Sequence, residues 1–306
     1  MSSAPMSENK DDESERPFLE IAIFNASSAQ IAYTSSADRL ELCAEGSSVN
    51  GGTTPSLSTL KSVITSLQRV DSTKIDEADH VTATEAKKSI PIYAMIRPRG
   101  GDFVYFDEEF ETMKEQLLAL KSAIYSQAGE IESQEEISFG KVNGFVFGIL
   151  TKESKVDRVK NAELVRLAAP LPCTFHRAFD EVITSCEKNN APDSGEIRLL
   201  PQTLIEELEA VISAGFASIL TSGGTGRSAV DGAKHIAALT EAAKGRIEII
   251  AGGGVRSTNV RELRRQSPRT RFFHSSALVA KGGGQVMDVA DGDEVCALKR
   301  GLAPLS

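Results

Sequence analysis

The chain has no tryptophan and only four cysteines, Cys43, Cys173, Cys186 and Cys296, none in a CxxC pair. Missing tryptophan excludes nothing, but scarce cysteine does. Disulfide-stapled secreted domains and cysteine-built zinc modules both need closely spaced cysteines, so a reducing compartment, cytoplasmic or nuclear, is expected. No apolar run approaches the roughly 20 residues that a membrane-spanning helix requires. Cationic excess is also lacking. Lys+Arg total 34 against 43 Asp+Glu, giving a net charge of -9 and a pI near 5.2. That balance argues against nucleic acid or an anionic membrane as a general partner, while a local basic site stays open. There is no HExxH, Walker lysine loop, nucleophile elbow or GxGxxG pattern; the Gly223–Arg227 stretch has a different spacing. Residues 1–16 are polar and acidic with no apolar h-region, and read as a disordered tail without a secretory leader.

What is present is a rhythm. The 306 residues, 41% hydrophobic, suffice for one large core. Eight strand candidates occupy 19–24, 39–44, 90–97, 144–151, 171–179, 217–222, 247–252 and 271–276. Helical segments are expected at 56–67, 106–123, 157–169, 202–214, 228–244 and 258–265. Strand–helix alternation repeated eight times predicts a parallel sheet, closed most simply as an α/β (β/α)8 TIM barrel, with an open doubly wound sheet as the alternative. A single barrel domain over 17–306 is therefore expected, interrupted by polar surface insertions near 71–89, 127–141 and 187–200.

Strand side chains alternate between faces. Leu19, Ile21 and Ile23 share one face opposite Glu20 and Ala22, and Leu40 and Leu42 oppose Arg39, Glu41 and Cys43. If the aliphatic faces pack on the helices, Glu20 and Glu41 point inward. So do Tyr93, Met95 and Arg97, together with Thr174 and His176, and with Phe272, His274 and Ser276. Barrel interiors are usually aliphatic. A charged lumen is costly unless paired, so these groups form either a structural ion network or a functional site.

The strand ends favour the second reading. Ile96-Arg97-Pro98-Arg99-Gly100-Gly101-Asp102-Phe103 puts two guanidinium groups, two glycines and a carboxylate on one strand exit. Thr174-Phe175-His176-Arg177-Ala178-Phe179-Asp180 closes the fifth strand, where an imidazole can exchange protons. Ser222-Gly223-Gly224-Thr225-Gly226, Gly252-Gly253-Gly254-Val255 and His274-Ser275-Ser276 follow late strands, where barrels commonly hold phosphate; plain tight turns would also use these glycines. The candidate catalytic residues are His176, Glu20, Glu41 and Asp180. The candidate anion-binding residues are Arg97, Arg99, Asp102, Arg177, Ser222, Gly223, Gly253, Gly254, His274 and Ser275.

These strings, with Ala37-Asp38-Arg39-Leu40-Glu41-Leu42-Cys43 and Gly51-Gly52-Thr53-Thr54-Pro55-Ser56, make the chain resemble the copper homeostasis CutC family over about residues 18–280. Residues 286–301 are similar to that family's closing helix. The resemblance implies a TIM barrel, a cytoplasmic or nuclear homo-oligomer, and a role in copper (Cu+) binding and tolerance. The copper proposal for animal members uses two cysteines, one at the end of each of the first two strands. The second matches Cys43, but the first matches Ala22. Cu(I) prefers soft thiolate or thioether ligands, so Cys43 with Met95 would have to serve instead. The alternative from another class is a barrel enzyme acting on a small phosphorylated or carboxylated metabolite at the C-terminal rim.

Overall fold

The computed structural model of the protein describes residues 16–76, 89–123, 140–189, 200–279 and 288–303. Eight parallel strands close into a barrel in chain order: β1 (Phe18–Ile23), β2 (Arg39–Leu42), β3 (Ile92–Met95), β4 (Gly144–Phe147), β5 (Cys173–Phe175), β6 (Ser218–Thr221), β7 (Glu248–Gly252) and β8 (Phe272–Ser275). Closure is made by β1 on β8, with Glu20 opposite His274 and Leu19 opposite Phe273. The register on the other side sets Glu20 against Arg39 and Ala22 against Glu41. These two pairings bring the acidic and basic groups of three neighbouring strands to one level of the lumen.

Among the described residues the helices are α1 (Ala26–Thr34), α2 (Leu57–Asp76), α3 (Asp107–Ser122), α4 (Arg158–Ala168), α5 (Ala178–Asn189), α6 (Gln202–Ala214), α7 (Ala233–Ala243), α8 (Val260–Gln266) and α9 (Gly292–Leu302). Asn25 and Asp157 cap α1 and α4 by accepting from the backbone N–H of Ser28 and Lys160. Glu109, in the acidic first turn of α3, accepts from the Phe106 N–H at 2.9 Å. None of these helices is long and apolar enough to cross a membrane.

Alternation sorts the strand residues as expected. Leu19, Ile21, Leu40, Leu42, Phe147 and Phe175 join the core between barrel and helices. A second, smaller cluster fills the lumen: Ala22, Phe24, Cys43, Met95 and Val146, with Tyr93 beside it. Gly144 is essential to that filling, since a Cβ there would lie 2.6 Å from the Tyr93 ring. The space it leaves lets Tyr93 lie over the Arg39 guanidinium at 4.2 Å.

Several boundaries differ from expectation. The fifth strand is three residues, not nine, and Ala178 already starts α5. The string Phe175-His176-Arg177-Ala178-Phe179 contains no glycine or proline to mark the switch from extended to helical backbone. The insertions expected from 71 and 187 begin later, because α2 runs to Asp76 and α5 to Asn189. Neither helix contains a glycine or proline to stop it. Residues 77–88, 127–139 and 190–199 of the three expected insertions, and residues 1–15 of the expected tail, lie outside the described residues. The helix α1 was not expected. Its buried face is small, Ser28, Ala29 and Ala32, so it carries little hydrophobic periodicity.

Candidate functional site

The C-terminal ends of the strands surround a cavity of about 380 Å³. Its floor is ionic. Glu20, wholly buried, accepts from Arg39 Nε at 2.5 Å through Oε2 and faces His274 Nδ1 at 2.8 Å through Oε1. The same Nδ1 lies 3.2 Å from Glu41 Oε2. Arg39 is stacked between the rings of Phe18 and Tyr93, which fixes its guanidinium under Glu20.

The floor polarises its two carboxylates in opposite directions. Burial alone would raise Glu20, but Arg39 and His274 outweigh it and hold the carboxyl down at about 2. Glu41 has no such guanidinium contact. Burial, reinforced by the Glu20 charge and opposed by His274, lifts it to about 7. Burial would lower His274, yet Glu41 and Glu20 raise it above the usual histidine range. Glu41 and His274 therefore titrate together, so the floor exchanges protons near neutrality.

His176 behaves differently. Its Nδ1 accepts from the Ala178 N–H at 3.3 Å, so the neutral ring carries its proton on Nε2, which is buried and has no partner among the described residues. Burial and the Arg97 charge push it down to about 3, so it stays neutral at physiological pH. Phe103 packs edge-on against it at 4.8 Å.

Of the residues expected at the rim, Glu41, Arg97, His176, Arg177, Asp180 and His274 all line the cavity. Gly253, Gly254, Ser275, Cys43, Met95 and Ala22 line it as well. Glu20 lies directly behind Glu41 and His274. Arg99 and Asp102 are placed elsewhere. Arg99 is held by Glu109 at 2.5 Å and Asp102 at 3.1 Å on the outer flank of the loop, because the acidic start of α3 draws it away. Ser222 and Gly223 are also off the cavity wall; Gly223 packs against the Gly232 backbone, where a Cβ would meet the carbonyl oxygen at 2.4 Å.

Two rim residues have their polar atoms committed to the protein itself. Arg97 donates to the carbonyls of Asn50, Gly52 and Gly101 at 2.5, 3.2 and 2.8 Å, and its buried Nε has no partner among the described residues. Asp180 accepts from Thr221 Oγ1, the Ser222 N–H, Ser222 Oγ and Arg177 Nε. With its carboxylate so saturated, it fixes the loop after β6. Arg256 was missed by sequence reasoning. It lines the cavity and donates to Ser275 Oγ at 3.0 Å. Its signal was a cation two residues beyond the Gly252-Gly253-Gly254 run.

The CutC family profile matches residues 18–191 and 201–279. The chain belongs to the CutC family. It is 34% identical over 266 residues to a human copper homeostasis protein cutC homolog, covering 87% of this chain and 75% of that one. It is 33% identical over 301 residues to the Caenorhabditis elegans copper homeostasis protein cutC homolog, covering 94% and 96%. The crystal structure of a putative copper homeostasis protein CutC from Streptococcus agalactiae superposes with a TM-score of 0.61 at 27% identity, covering 85% of this chain and 98% of that one.

The residues of this CutC member fit a two-thiolate Cu(I) centre poorly. Ala22, on β1, and Cys43, just past the end of the adjacent β2, sit in one apolar cluster, but Ala22 offers no donor atom. Burial, then Glu41 and Glu20, pushes the Cys43 thiol well above its ordinary value and opposes thiolate formation. Its Sγ lies 3.9 Å from Glu41 Oε1.

Proposed function

We propose that the barrel mouth of this CutC-family protein binds a small anionic organic molecule and exchanges a proton with it through Glu41 and His274. One observation carries the reading: two buried carboxylates contact a single imidazole nitrogen, with one carboxylate held ionised and the other lifted to about 7. Environments that push paired groups apart are how protein sites obtain an acid and a base at neutral pH. Glu20 and Arg39 hold the imidazole in place, and Glu41 with His274 delivers or accepts the proton. Neutral His176 donates an Nε2–H hydrogen bond to the ligand, the role a carbonyl oxygen requires. The proton exchange expected of His176 thus moves to the floor. Cys43, Cys173, Cys186 and Cys296 form no disulfide among the described residues, which supports a reducing cytosolic or nuclear location.

The test is solvent exchange. In D2O, the protein should speed deuterium incorporation at acidic C–H positions of some member of a panel of small keto acids and keto phosphates, followed by proton NMR. Glu41→Gln should slow that exchange by about 10²–10⁴-fold. Equal rates in variant and wild type, or no exchange across the panel, would remove the reading.

A second reading, direct Cu(I) binding, has its own support. Cys43 and Met95 converge over Gly52, where an added Cβ would lie 2.6 Å from Cys43 Sγ and 3.5 Å from Met95 Cε. In this version copper is cargo held by a thiol and a thioether. Anaerobic Cu(I) titration should then give one site whose affinity drops at least about tenfold in Cys43→Ala. Identical titrations for the two proteins would exclude it.

A further inference from the structure

The half of the mouth formed by the loops after β5, β7 and β8 carries hydrogen-bond donors that neither the floor nor the sulfur cluster uses. Gly253 and Gly254 are in the left-handed region, φ 104° and 70°. Their carbonyls are occupied, Gly253 by the Ala229 N–H and Gly254 by Asn259 Nδ2. Among the described residues, the N–H groups of Gly253, Gly254 and Ser276 have no acceptor. All three residues line the cavity. Two guanidinium groups flank them. Arg177 lies so close to Gly253 that an added Cβ would be 3.2 Å from its Cζ, and Arg256 is anchored to Ser275.

Both arginines are held from behind. Arg177 spends Nε on Asp180 and an Nη2 hydrogen on Ser222, and has no protein acceptor for Nη1 among the described residues. Arg256 spends Nη1 on Val255 and Ser275 and one Nη2 hydrogen on Leu278, keeping Nε uncommitted. Two anchored cations and three unspent backbone N–H groups exceed what a carboxylate's two oxygens can accept, but they match three terminal oxygens carrying nearly two charges. Two acids share this rim. Asp180 is ion-paired with Arg177 and offsets part of its charge, so Arg256 and the three N–H groups supply the rest of the attraction, while burial, with the Asp102 and Asp180 charges, raises Glu181.

We infer that the anionic group of the ligand is a phosphate monoester, seated between Arg177 and Arg256 on the N–H groups of Gly253, Gly254 and Ser276. This rests on the small-anion reading above and names its chemical class. The phosphate is a handle, with no bond to it made or broken, and the attached carbon skeleton reaches toward Glu41 and His274.

Phosphorus-31 NMR and calorimetric titration with inorganic phosphate and with glycerol phosphate test it, with succinate as the dicarboxylate comparison. Both phosphates should bind the wild type with millimolar affinity or better and succinate more weakly. Arg177→Gln and Arg256→Gln should each weaken phosphate binding by about tenfold or more. Circular dichroism checks that the variants fold. Where one does not, Arg177→Lys or Arg256→Lys replaces it, with a smaller but measurable loss. No phosphate binding by the wild type at tens of millimolar overturns the inference, as does unchanged affinity in the arginine variants. Succinate binding without phosphate binding overturns it while leaving the anionic reading intact. Because the titration reads binding alone, it fails separately from the deuterium exchange.

Discussion

Arg39→Met should destabilise the protein by about 3–5 kcal/mol at pH 8, the usual cost of removing one partner from a buried ion pair. The guanidinium is buried beneath Glu20, and among the described residues the only other charged group contacting that carboxylate is His274. Methionine fills the space between Phe18 and Tyr93 but leaves Glu20 to the effect of burial. The pH dependence identifies the cause. With Arg39 present, Glu20 is held at about 2, below its ordinary 4.5. Its folded-state contribution is therefore complete above 4.5 and is lost as pH falls from 4.5 toward 2. In the variant that contribution disappears and the carboxyl resists ionisation, so the deficit should shrink at pH 4 and widen at pH 8. Urea unfolding at the two pH values measures it. The double variant Arg39→Met, Glu20→Gln should regain most of the loss. A single variant as stable as wild type at pH 8 would show that the pair does not contribute as placed.

Glu41→Gln should produce the opposite pH response. Glu41 titrates at about 7 in the folded chain, against an ordinary 4.5. The folded state therefore holds the proton more tightly, and wild-type stability should fall as pH rises from 4.5 to 7. At about 1.4 kcal/mol per pH unit, the loss reaches as much as about 3 kcal/mol. His274, raised mainly by Glu41, adds a further decline as pH rises through its own titration. Glutamine removes the first effect and weakens the second, Glu20 remaining beside His274. The variant's unfolding free energy should thus be nearly flat from pH 5 to 8 and exceed that of wild type at pH 8. A wild-type profile already flat over this range would contradict the joint titration of the floor.

The barrel was legible because β-branched and aromatic runs recur with helices between them, and because alternation is insensitive to small errors in strand ends. Glu20, Glu41 and His274 could be assigned to the lumen by phase alone, since a one-residue step flips a side chain to the other face. What alternation could not provide was how far a side chain stays free once it reaches the rim. Arg97 and Arg99 read as equivalent anion forks, yet one holds loop carbonyls inside the cavity and the other is drawn outward by Glu109. Asp180 read as a candidate catalytic residue, but its partners Thr221 and Ser222, at the end of β6, lie more than 40 residues on. Long-range partners of that kind leave no local trace. Arg256, a lone cation after a glycine run, has the same sequence pattern as any solvated surface arginine.

The three carbonyls gathered by Arg97 have a consequence for how this scaffold can change. Asn50 and Gly52 belong to the segment after β2, and Gly101 to the segment after β3, so one side chain binds two neighbouring excursions into a single rigid unit. Lengthening or swapping either excursion alone would strand guanidinium hydrogens in a water-poor setting. Loop grafts on this quadrant should succeed only when both excursions are transplanted together with Arg97. Diversification by piecemeal insertion is thereby confined to the remaining connections of the barrel.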